Sequence, residues 1–180
     1  MRKLSLAELK RISPEEFKNA LKTPIIVVLD NVRSLNNIGS VFRSCDAFRI
    51  EGIYLCGVSG TPPHKEIHKT ALGATETVDW KYFEETSDAI DMLKKASYKI
   101  YAVEQADKSI GLNDFNPSAN EKISLIFGNE VNGVDETIMK VADGCLEIPQ
   151  YGTKHSLNIA VTAGIVLWEL FRKMNLSDKS

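Results

Sequence analysis

Three runs of consecutive apolar residues constrain the fold of this chain most strongly: IIVVL at 25–29, GIYLCGV at 52–58 and KISLIFG at 122–128. A strand with one face in water alternates apolar and polar side chains, whereas runs without alternation indicate strands buried on both faces, as in a parallel sheet. Further strands are predicted at 76–80, 98–104 and 145–149. Because helical patterns separate most of these strands, the sequence predicts an α/β domain with a mainly parallel sheet flanked by helices.

Two of the predicted helices begin at residues that commonly cap a helix. Thr86 stands at the start of a helix at 86–96, and Asp135 at the start of a helix at 135–142. Both side chains can accept a hydrogen bond from the first helical turn. The polar stretch 105–121 shows neither helical nor strand periodicity and is predicted to be mostly loop.

Composition indicates an ordinary globular protein with one main domain. The 180 residues are 43% hydrophobic and 26% charged, and Cys45, Cys56 and Cys145 form no CxxC pair. This cysteine pattern fits a reducing compartment, so a cytoplasmic location is expected. No signal peptide is recognisable, and the longest apolar run, Leu157 to Trp168, is shorter than the roughly 18–20 residues of a membrane span. We therefore expect no association with a membrane.

Charge is unevenly distributed along the chain. The formal net charge is −2, yet residues 1–24 carry six basic and three acidic side chains. Within them, SPEEF at 13–17 has the serine, proline and glutamates of a helix start. We therefore divide the chain into a basic N-terminal helical extension, 1–24, and a main domain, 25–180. On composition alone, the extension fits an arm that binds nucleic acid and fits a solvated amphipathic helix at least as well.

The predicted last helix, at about 156–174, is apolar around most of its circumference. A helix of this kind must be covered on more than one side. The sheet covers one side, and a second copy of the chain is the simplest cover for the other. The sequence therefore predicts a homodimer formed through the C-terminal helix.

Polar segments that contain glycine follow three of the predicted strands. They are LDNVRSLNNIGSVFRS after the first strand, FGNEVNGV after the penultimate and IPQYGTKHSLNIAV after the last. Ligands of open parallel sheets bind beyond the carboxyl ends of the strands, so these segments are candidates for one common site. None of them contains a nucleotide-binding fingerprint such as a Walker loop.

Each of these segments also has a purely structural interpretation. The residues that suit turns or helix caps are Gly128, Gly133, Ser156 and Asn158. Arg43 can form an ordinary surface pair with Asp46, one helical turn further on.

A metal site is not predicted. His64 and His68 are four residues apart, as in zinc-binding helices, but Lys65 stands where metalloproteases have glutamate. No third ligand is apparent in the sequence, so these histidines are interpreted as part of a solvated helix face.

In combination, three ordered motifs resemble those of the SpoU/TrmH family of the SPOUT superfamily, whose members are RNA ribose 2′-O-methyltransferases. The first motif is an asparagine with an arginine six residues on, here Asn37 and Arg43. The second is G-N-E-x-x-G, here Gly128, Asn129, Glu130 and Gly133. The third is I-P-x-x-G followed by S-L-N, here Ile148, Pro149, Gly152, Ser156, Leu157 and Asn158. The segment KTALGA at 69–74 also looks like one common in this family, and the resemblance covers about residues 25–172.

The resemblance implies a C-terminal trefoil knot that holds S-adenosyl-L-methionine, in a homodimer. The cofactor-binding residues implied by motif position are Val103, Glu104, Gln105, Gly128, Ile148, Ser156 and Leu157. The catalytic residues implied are Asn37, Arg43, Glu130, Ser156 and Asn158. One departure is Ala160, which replaces a serine that often follows S-L-N-V in the family.

In the family this arginine is treated as catalytic, sometimes as a general base. A base must be available in its neutral form, which is scarce for a guanidinium group. We therefore interpret Arg43 as a clamp for the phosphate beside the reacting ribose that also stabilises the developing alkoxide, and leave the role of base open.

The implied substrate is RNA. The basic residues expected to bind it are Arg2, Lys3, Lys10, Arg11, Arg33, Arg43 and Arg49. A tRNA is preferred to rRNA, with a D-loop guanosine as a candidate target, although the sequence does not decide between them. The alternative function is that of a non-catalytic RNA-binding dimer that retains the fold.

Overall fold

A seven-stranded sheet forms the centre of the molecule in the computed structural model, which describes residues 1–5 and 7–176. The strands are β1 Thr23–Asp30, β2 Ile50–Cys56, β3 Trp80–Phe83, β4 Lys99–Val103, β5 Ile110–Gly111, β6 Ile123–Phe127 and β7 Gly144–Glu147. Their order across the sheet is β3-β2-β1-β6-β4-β7-β5, and every neighbouring pair is parallel. The predicted α/β class and parallel sheet are confirmed.

Helices cover both faces of this sheet. They are α1 Pro14–Asn19, α2 Leu35–Ala47, α3 Lys65–Ala71, α4 Ala74–Thr77, α5 Thr86–Lys95, α6 Glu136–Val141 and α7 Ile159–Leu176. In the described part of the chain, α1 to α4 and α7 pack on one face, and α5 and α6 pack on the other. Within the predicted extension at 1–24, the described residues before Pro14 are not helical.

The central strand β1 shows why its sequence lacks alternation. Val27 and Leu29 point into the core beneath α2 and α7, whereas Ile26 and Val28 point into the core beneath α5 and α6. Since neighbours β2 and β6 pair with β1 on its two edges, nearly all of β1 is removed from water. Both faces of the strand therefore need apolar side chains.

The strand predicted at 76–80 is wrong in position. Residues 74–77 form α4, and the strand runs later, at Trp80–Phe83. The short helix begins after Gly73, which has a φ of 91°, a backbone conformation that other residues rarely adopt. Ala74 and Val78 are buried against the core, so tertiary packing decides this segment over local preference.

Thr86 does not cap α5 as predicted. The capping position is Glu85, which makes no side-chain cap, whereas Asp135 caps α6 as expected. The Thr86 hydroxyl instead donates to the carboxylate of Asp30 at 2.6 Å. Asp30 is only 2% exposed, so its charge needs such a partner.

The stretch 105–121, predicted as mostly loop, adds a two-residue edge strand, β5. The following segment is fastened to the last helix by the Lys173 ammonium group. This group donates to the carbonyl oxygens of Leu112, Asn113 and Phe115 at 2.9, 2.9 and 2.7 Å. Partial burial of the cation is thus offset by three hydrogen bonds.

Helix α7 is apolar on its buried face and on part of its outer face. Ala163, Val166 and Leu170 are fully buried, but Val161 and Trp168 remain 50% and 52% exposed. Such an exposed apolar stripe is what a second subunit would cover, and the homodimer stays a prediction. No helix in the described residues is both long and apolar enough to cross a membrane.

Helices α2 and α3 approach each other closely at Gly39. A Cβ atom added to this glycine would lie 2.1 Å from the Thr70 hydroxyl oxygen and 2.3 Å from the carbonyl oxygen of Ile67. The Thr70 hydroxyl also donates to the carbonyl oxygen of Asn36 across the two helices at 3.1 Å. The absence of a side chain at 39 therefore sets the distance between α2 and α3.

We expect Gly39→Ala to lower the free energy of unfolding by about 1–3 kcal/mol, because the new methyl group forces the two helices apart. Urea denaturation of the purified protein measures this. Gly152→Ala is the matched control, since no atom lies within 4 Å of its added Cβ. Equal midpoints for Gly39→Ala and the wild type would contradict the close approach.

Candidate functional site

A cavity opens at the carboxyl ends of β4, β6 and β7. Four segments line it: 103–105 after β4, 127–133 after β6, 146–150 at the end of β7, and 156–159 at the start of α7. All seven residues that the resemblance implies for cofactor binding contribute to the lining: Val103, Glu104, Gln105, Gly128, Ile148, Ser156 and Leu157. Two of the three polar segments that follow strands in the sequence, those after β6 and β7, thus meet at one place, where ligands of parallel sheets bind, whereas the segment after β1 contributes no residue to the lining.

The segment after β6 is a tight turn built on two glycines. A Cβ atom at Gly128 would lie 1.9 Å from the carbonyl carbon of Gly133, and Gly133 itself has a φ of 68°. The backbones of Asn129 and Gly133 exchange hydrogen bonds of 3.1 and 3.0 Å, which close the turn. The structural interpretation of these glycines is therefore correct, and the turn also carries Glu130 at its tip.

Asn37, from the first motif, connects the turn of the second motif to Asn158 of the third. Its side-chain NH₂ group donates to the Glu130 carboxylate at 3.1 Å, and its side-chain oxygen accepts from Asn158 at 3.2 Å. One asparagine on α2 thereby joins the loop after β6 to the start of α7. Both donor and acceptor of the amide are used, which fixes its orientation.

Glu130 also receives backbone hydrogen bonds. The N–H groups of Ser34 and Arg33 donate to its two carboxylate oxygens at 3.3 and 3.4 Å. Partial desolvation raises the pKa of Glu130, but these hydrogen bonds, that from Asn37 and one from its own backbone outweigh this effect. The net result is a pKa below the usual value.

Asn158 performs two tasks at the start of α7. Its side-chain oxygen accepts from the backbone N–H groups of Ala160 and Val161 at 2.9 and 3.4 Å, as a helix cap does. Its NH₂ group meanwhile donates to Asn37. The capping interpretation is correct for Asn158, whereas Ser156 lies two residues earlier, exposed in the cavity wall.

The segment after β4 braces the opposite wall. The Gln105 side chain donates to the carbonyl oxygen of His155 at 2.6 Å and so ties this segment to the loop before α7. The Glu104 carboxylate accepts from the backbone N–H groups of Gln105 and Val134 at 2.8 and 3.4 Å. Two carboxylates, Glu104 and Glu130, line the cavity, and no lysine or arginine does among the described residues.

Arg43 lies outside this cavity. It follows Asn37 by six residues, about 9 Å along α2, and is exposed in a separate groove between α2, α3 and α7. The expected alternative, a pair with Asp46, does not form, because Asp46 accepts instead from the Thr77 hydroxyl at 2.5 Å. Within the described part of the chain, Arg43 has neither an ion pair nor a hydrogen bond.

The remaining basic residues expected to bind RNA are dispersed. Arg33 is exposed beside Glu130, near the cavity. Arg49 directly precedes β2 and therefore lies at the amino-terminal ends of the strands, opposite the cavity. Arg2 is paired with Glu8 at 2.6 Å. The other three, Lys3, Lys10 and Arg11, are exposed.

His64 has a local structural role. Its Nδ1 atom accepts from the backbone N–H of Glu66 at 3.2 Å and caps α3. Sequence reasoning assigned no role to Lys69, although it lies in the groove beside Arg43. The family-like segment KTALGA, which begins at Lys69, was the sequence signal that could have pointed to this residue. Only the packing of α3 on α2, however, places Lys69 and Arg43 in one groove.

Comparison with known proteins identifies the family. The model of the SpoU rRNA Methylase family matches residues 24–168. The chain belongs to this family. The predicted membership and the predicted class of enzyme, an RNA methyltransferase, are thereby confirmed.

Relatives within the SpoU family agree with this assignment. The tRNA (guanosine(18)-2′-O)-methyltransferase of Thermus thermophilus is 28% identical over 174 residues, which cover 96% of this chain and 86% of the relative. The enzyme of the same description from Aquifex aeolicus is 28% identical over 169 residues, which cover 92% of this chain and 76% of the relative.

Solved structures of SpoU proteins share the fold. The A. aeolicus TrmH/SpoU tRNA modifying enzyme superimposes with a TM-score of 0.79 at 26% identity, covering 92% of this chain and 82% of that one. The rRNA methyltransferase of Sinorhizobium meliloti, solved with AdoMet bound, gives a TM-score of 0.77 at 28% identity, covering 90% and 61%. That bound molecule is the cofactor predicted for this member of the family.

We expect the stabilising effect of the Glu130 network to depend on pH. Because the pKa of Glu130 is lower in the folded protein, its contribution is complete above the unfolded value of about 4.3 and is lost as the pH falls through the folded value. Glu130→Gln should therefore be less stable than the wild type at pH 7, and the difference should shrink between pH 5 and pH 3.

Urea denaturation at a series of pH values measures this difference. The control is Glu84→Gln, since Glu84 is exposed and has no hydrogen-bond partner among the described residues. A difference between Glu130→Gln and the wild type that stays constant down to pH 3 would contradict the network.

Proposed function

We propose that this SpoU protein transfers a methyl group from S-adenosyl-L-methionine to the 2′-hydroxyl of a ribose in RNA, in tRNA rather than rRNA. The observation that carries the proposal is the bridge from Asn37 to Glu130 and Asn158, which joins the three family motifs at one cavity. The T. thermophilus and A. aeolicus relatives are described as acting on guanosine 18 of tRNA, which supports a D-loop guanosine as the target.

The cavity suits the cofactor chemically. Apolar side chains of Leu146, Ile148 and Leu157 line one part of it and offer surfaces for an adenine ring. The charged groups of its described lining are the carboxylates of Glu104 and Glu130, so a sulfonium cation meets no like charge among these residues. When bound, S-adenosyl-L-methionine supplies a methyl group attached to a positively charged sulfur.

Residues at the rim of the cavity support the segments beside which the methyl acceptor, the ribose 2′-hydroxyl, binds. The amide of Asn37 and the carboxylate of Glu130 keep the loop after β6 in place, and Asn158 holds the start of α7. Ser156 is exposed in the wall and contacts either cofactor or RNA. Holding the ribose hydroxyl in line with the methyl group supplies much of the rate enhancement.

We assign Arg43 to the phosphate beside the reacting ribose. Its guanidinium group is unpaired by other described residues and can bind phosphate with two parallel hydrogen bonds. Its positive charge also stabilises the negative charge that develops on the 2′-oxygen as the hydroxyl proton passes to solvent water. The permanent charge makes this role better suited to arginine than that of a general base.

This role requires a second subunit. Within one chain, Arg43 opens into its own groove and not into the cavity. Helix α7 borders both sites, with Thr162 in the cavity and Gly164 in the groove, and it exposes Val161 and Trp168. We propose that two copies pack through α7, so that Arg43 of one subunit faces the cavity of the other.

Three further assignments follow the family. We infer that the C-terminal segment forms a trefoil knot, which is supported by the contact of Gln105 with the loop before α7. Lys3, Lys10 and Arg11 are proposed to form a phosphate-contacting arm together with Arg2, which also pairs with Glu8. A cytoplasmic location fits an enzyme that modifies tRNA.

Tritiated methyl transfer to bulk tRNA tests the function. We expect incorporation by the wild type and a loss of about 10²-fold or more in kcat for Arg43→Ala, because the charge stabilisation at the alkoxide is removed. Binding of S-adenosyl-L-methionine, followed by calorimetry, should change little, since Arg43 does not line the cavity of its own chain and the arginine facing the cavity from the second subunit is assigned to the RNA phosphate. Nuclease digestion of the product should locate the label in 2′-O-methylguanosine.

Lys95→Ala on α5 is the control, because it removes a cation from the other face of the sheet. Tight tRNA binding by a wild type that incorporates no methyl group would support the alternative, a non-catalytic RNA-binding dimer.

Mixed dimers test the shared site. Arg43→Ala and Ser156→Trp should each be inactive, the second because indole fills the cavity. Co-expressed with different tags, they should form heterodimers with one intact cavity facing one intact arginine, and a random mixture should regain about a quarter of wild-type activity. No recovery in the purified heterodimer would show that each cavity uses the arginine of its own chain.

A further inference from the structure

The groove that holds Arg43 has an unusual charge for this chain. Its described lining contains two basic side chains, Arg43 and Lys69, and no acidic one. The whole protein, in contrast, has a net charge of −2. Both cations are exposed, and neither has an ion pair or a hydrogen bond to the described residues.

The packing of α3 against α2 places the two cations in the same groove. Gly39 lets α3 approach α2 so closely that a Cβ at 39 would overlap the carbonyl oxygen of Ile67, at 2.3 Å. The Thr70 hydroxyl fixes this arrangement through its hydrogen bond to the Asn36 carbonyl. Lys69, directly before Thr70 on α3, and Arg43 on α2 thereby line the same groove.

Two adjacent like charges without a counter-ion are unfavourable in the free protein. They become favourable when an anion with several oxygens lies between them. A planar guanidinium and a compact ammonium group offer complementary contacts, since the first binds two oxygens at once and the second binds as a point charge. The groove is therefore built for an anion, and phosphate of the RNA backbone is the anion that the proposed substrate brings.

We propose that the groove between α2 and α3 binds one RNA phosphate and that Lys69 is its second cationic ligand, beside Arg43. The proposal rests on the RNA substrate of the proposed function. Lys69 is a positioning residue, because it holds the RNA backbone in register and is not assigned a contact with the reacting atoms. Since α7 borders this groove at Gly164, the bound phosphate lies at the face on which the second subunit is proposed to pack.

The test measures tRNA binding and methyl transfer by Lys69→Gln at several KCl concentrations. We expect KM for tRNA to rise severalfold and kcat to change little, because a positioning contact to the substrate backbone is lost. The slope of log Kd against log salt should decrease by about 1. Lys69→Arg should restore most of the affinity and the salt slope, since it keeps a cation that binds phosphate.

Lys95→Gln is the matched control, since it removes the same charge from an exposed helix position on the opposite face of the sheet. A salt slope for Lys69→Gln equal to that of the wild type would overturn the proposal. Equal losses for Lys69→Gln and Lys95→Gln would also overturn it, because they would reflect net charge alone.

The outcome separates this proposal from the proposed function. If the wild type binds tRNA without transferring methyl groups, the enzyme assignment fails, while the salt slope of binding still tests the phosphate site. If the wild type is active and Lys69→Gln has the wild-type KM and salt slope, the enzyme assignment stands and the phosphate site fails. A lowered urea midpoint for Lys69→Gln without rescue by Lys69→Arg would assign Lys69 a structural role and overturn the proposal.

Discussion

The site depends on the two hydrogen bonds of the Asn37 side-chain amide. It donates to Glu130 on the loop after β6 and accepts from Asn158 at the start of α7. These three residues are far apart in the chain and lie on different elements, so the amide positions two parts of the cavity wall, at Glu130 and at Asn158, relative to α2. Loss of either hydrogen bond would leave Glu130 or Asn158 held only by backbone N–H groups near it, without a side-chain link to α2.

The cavity and the groove along α2 carry opposite charges. The cavity contains carboxylates and no basic side chain in its described lining, whereas the groove along α2 contains cations and no carboxylate. This division matches the two substrates of a methyl transfer from a sulfonium to RNA, because one carries positive charge and the other negative.

The sequence predicts the sheet and the motif residues well, for different reasons. IIVVL at 25–29 is predictable because burial on two faces removes alternation, and Glu130 and Asn158 are predictable because their motifs resemble those of a known family. The position of β3 was wrong because Gly73 and the burial of Val78 create a short helix that no local pattern indicates. The partner of Thr86 was missed because Asp30 is distant in sequence.

The place of Arg43 could not be predicted from the motif alone. The spacing from Asn37 puts the arginine on the same helix as the amide, which suggests that both residues share one pocket. An α-helix is rigid, however, and six residues separate the two positions by about 9 Å. Within one chain the guanidinium therefore lies in the groove along α2 and not among the residues that line the cavity. The assignment of Arg43 to the reacting ribose therefore depends on the dimer proposal, whereas the methyltransferase family and cofactor binding, which uses only the cavity of one subunit, do not depend on the second copy.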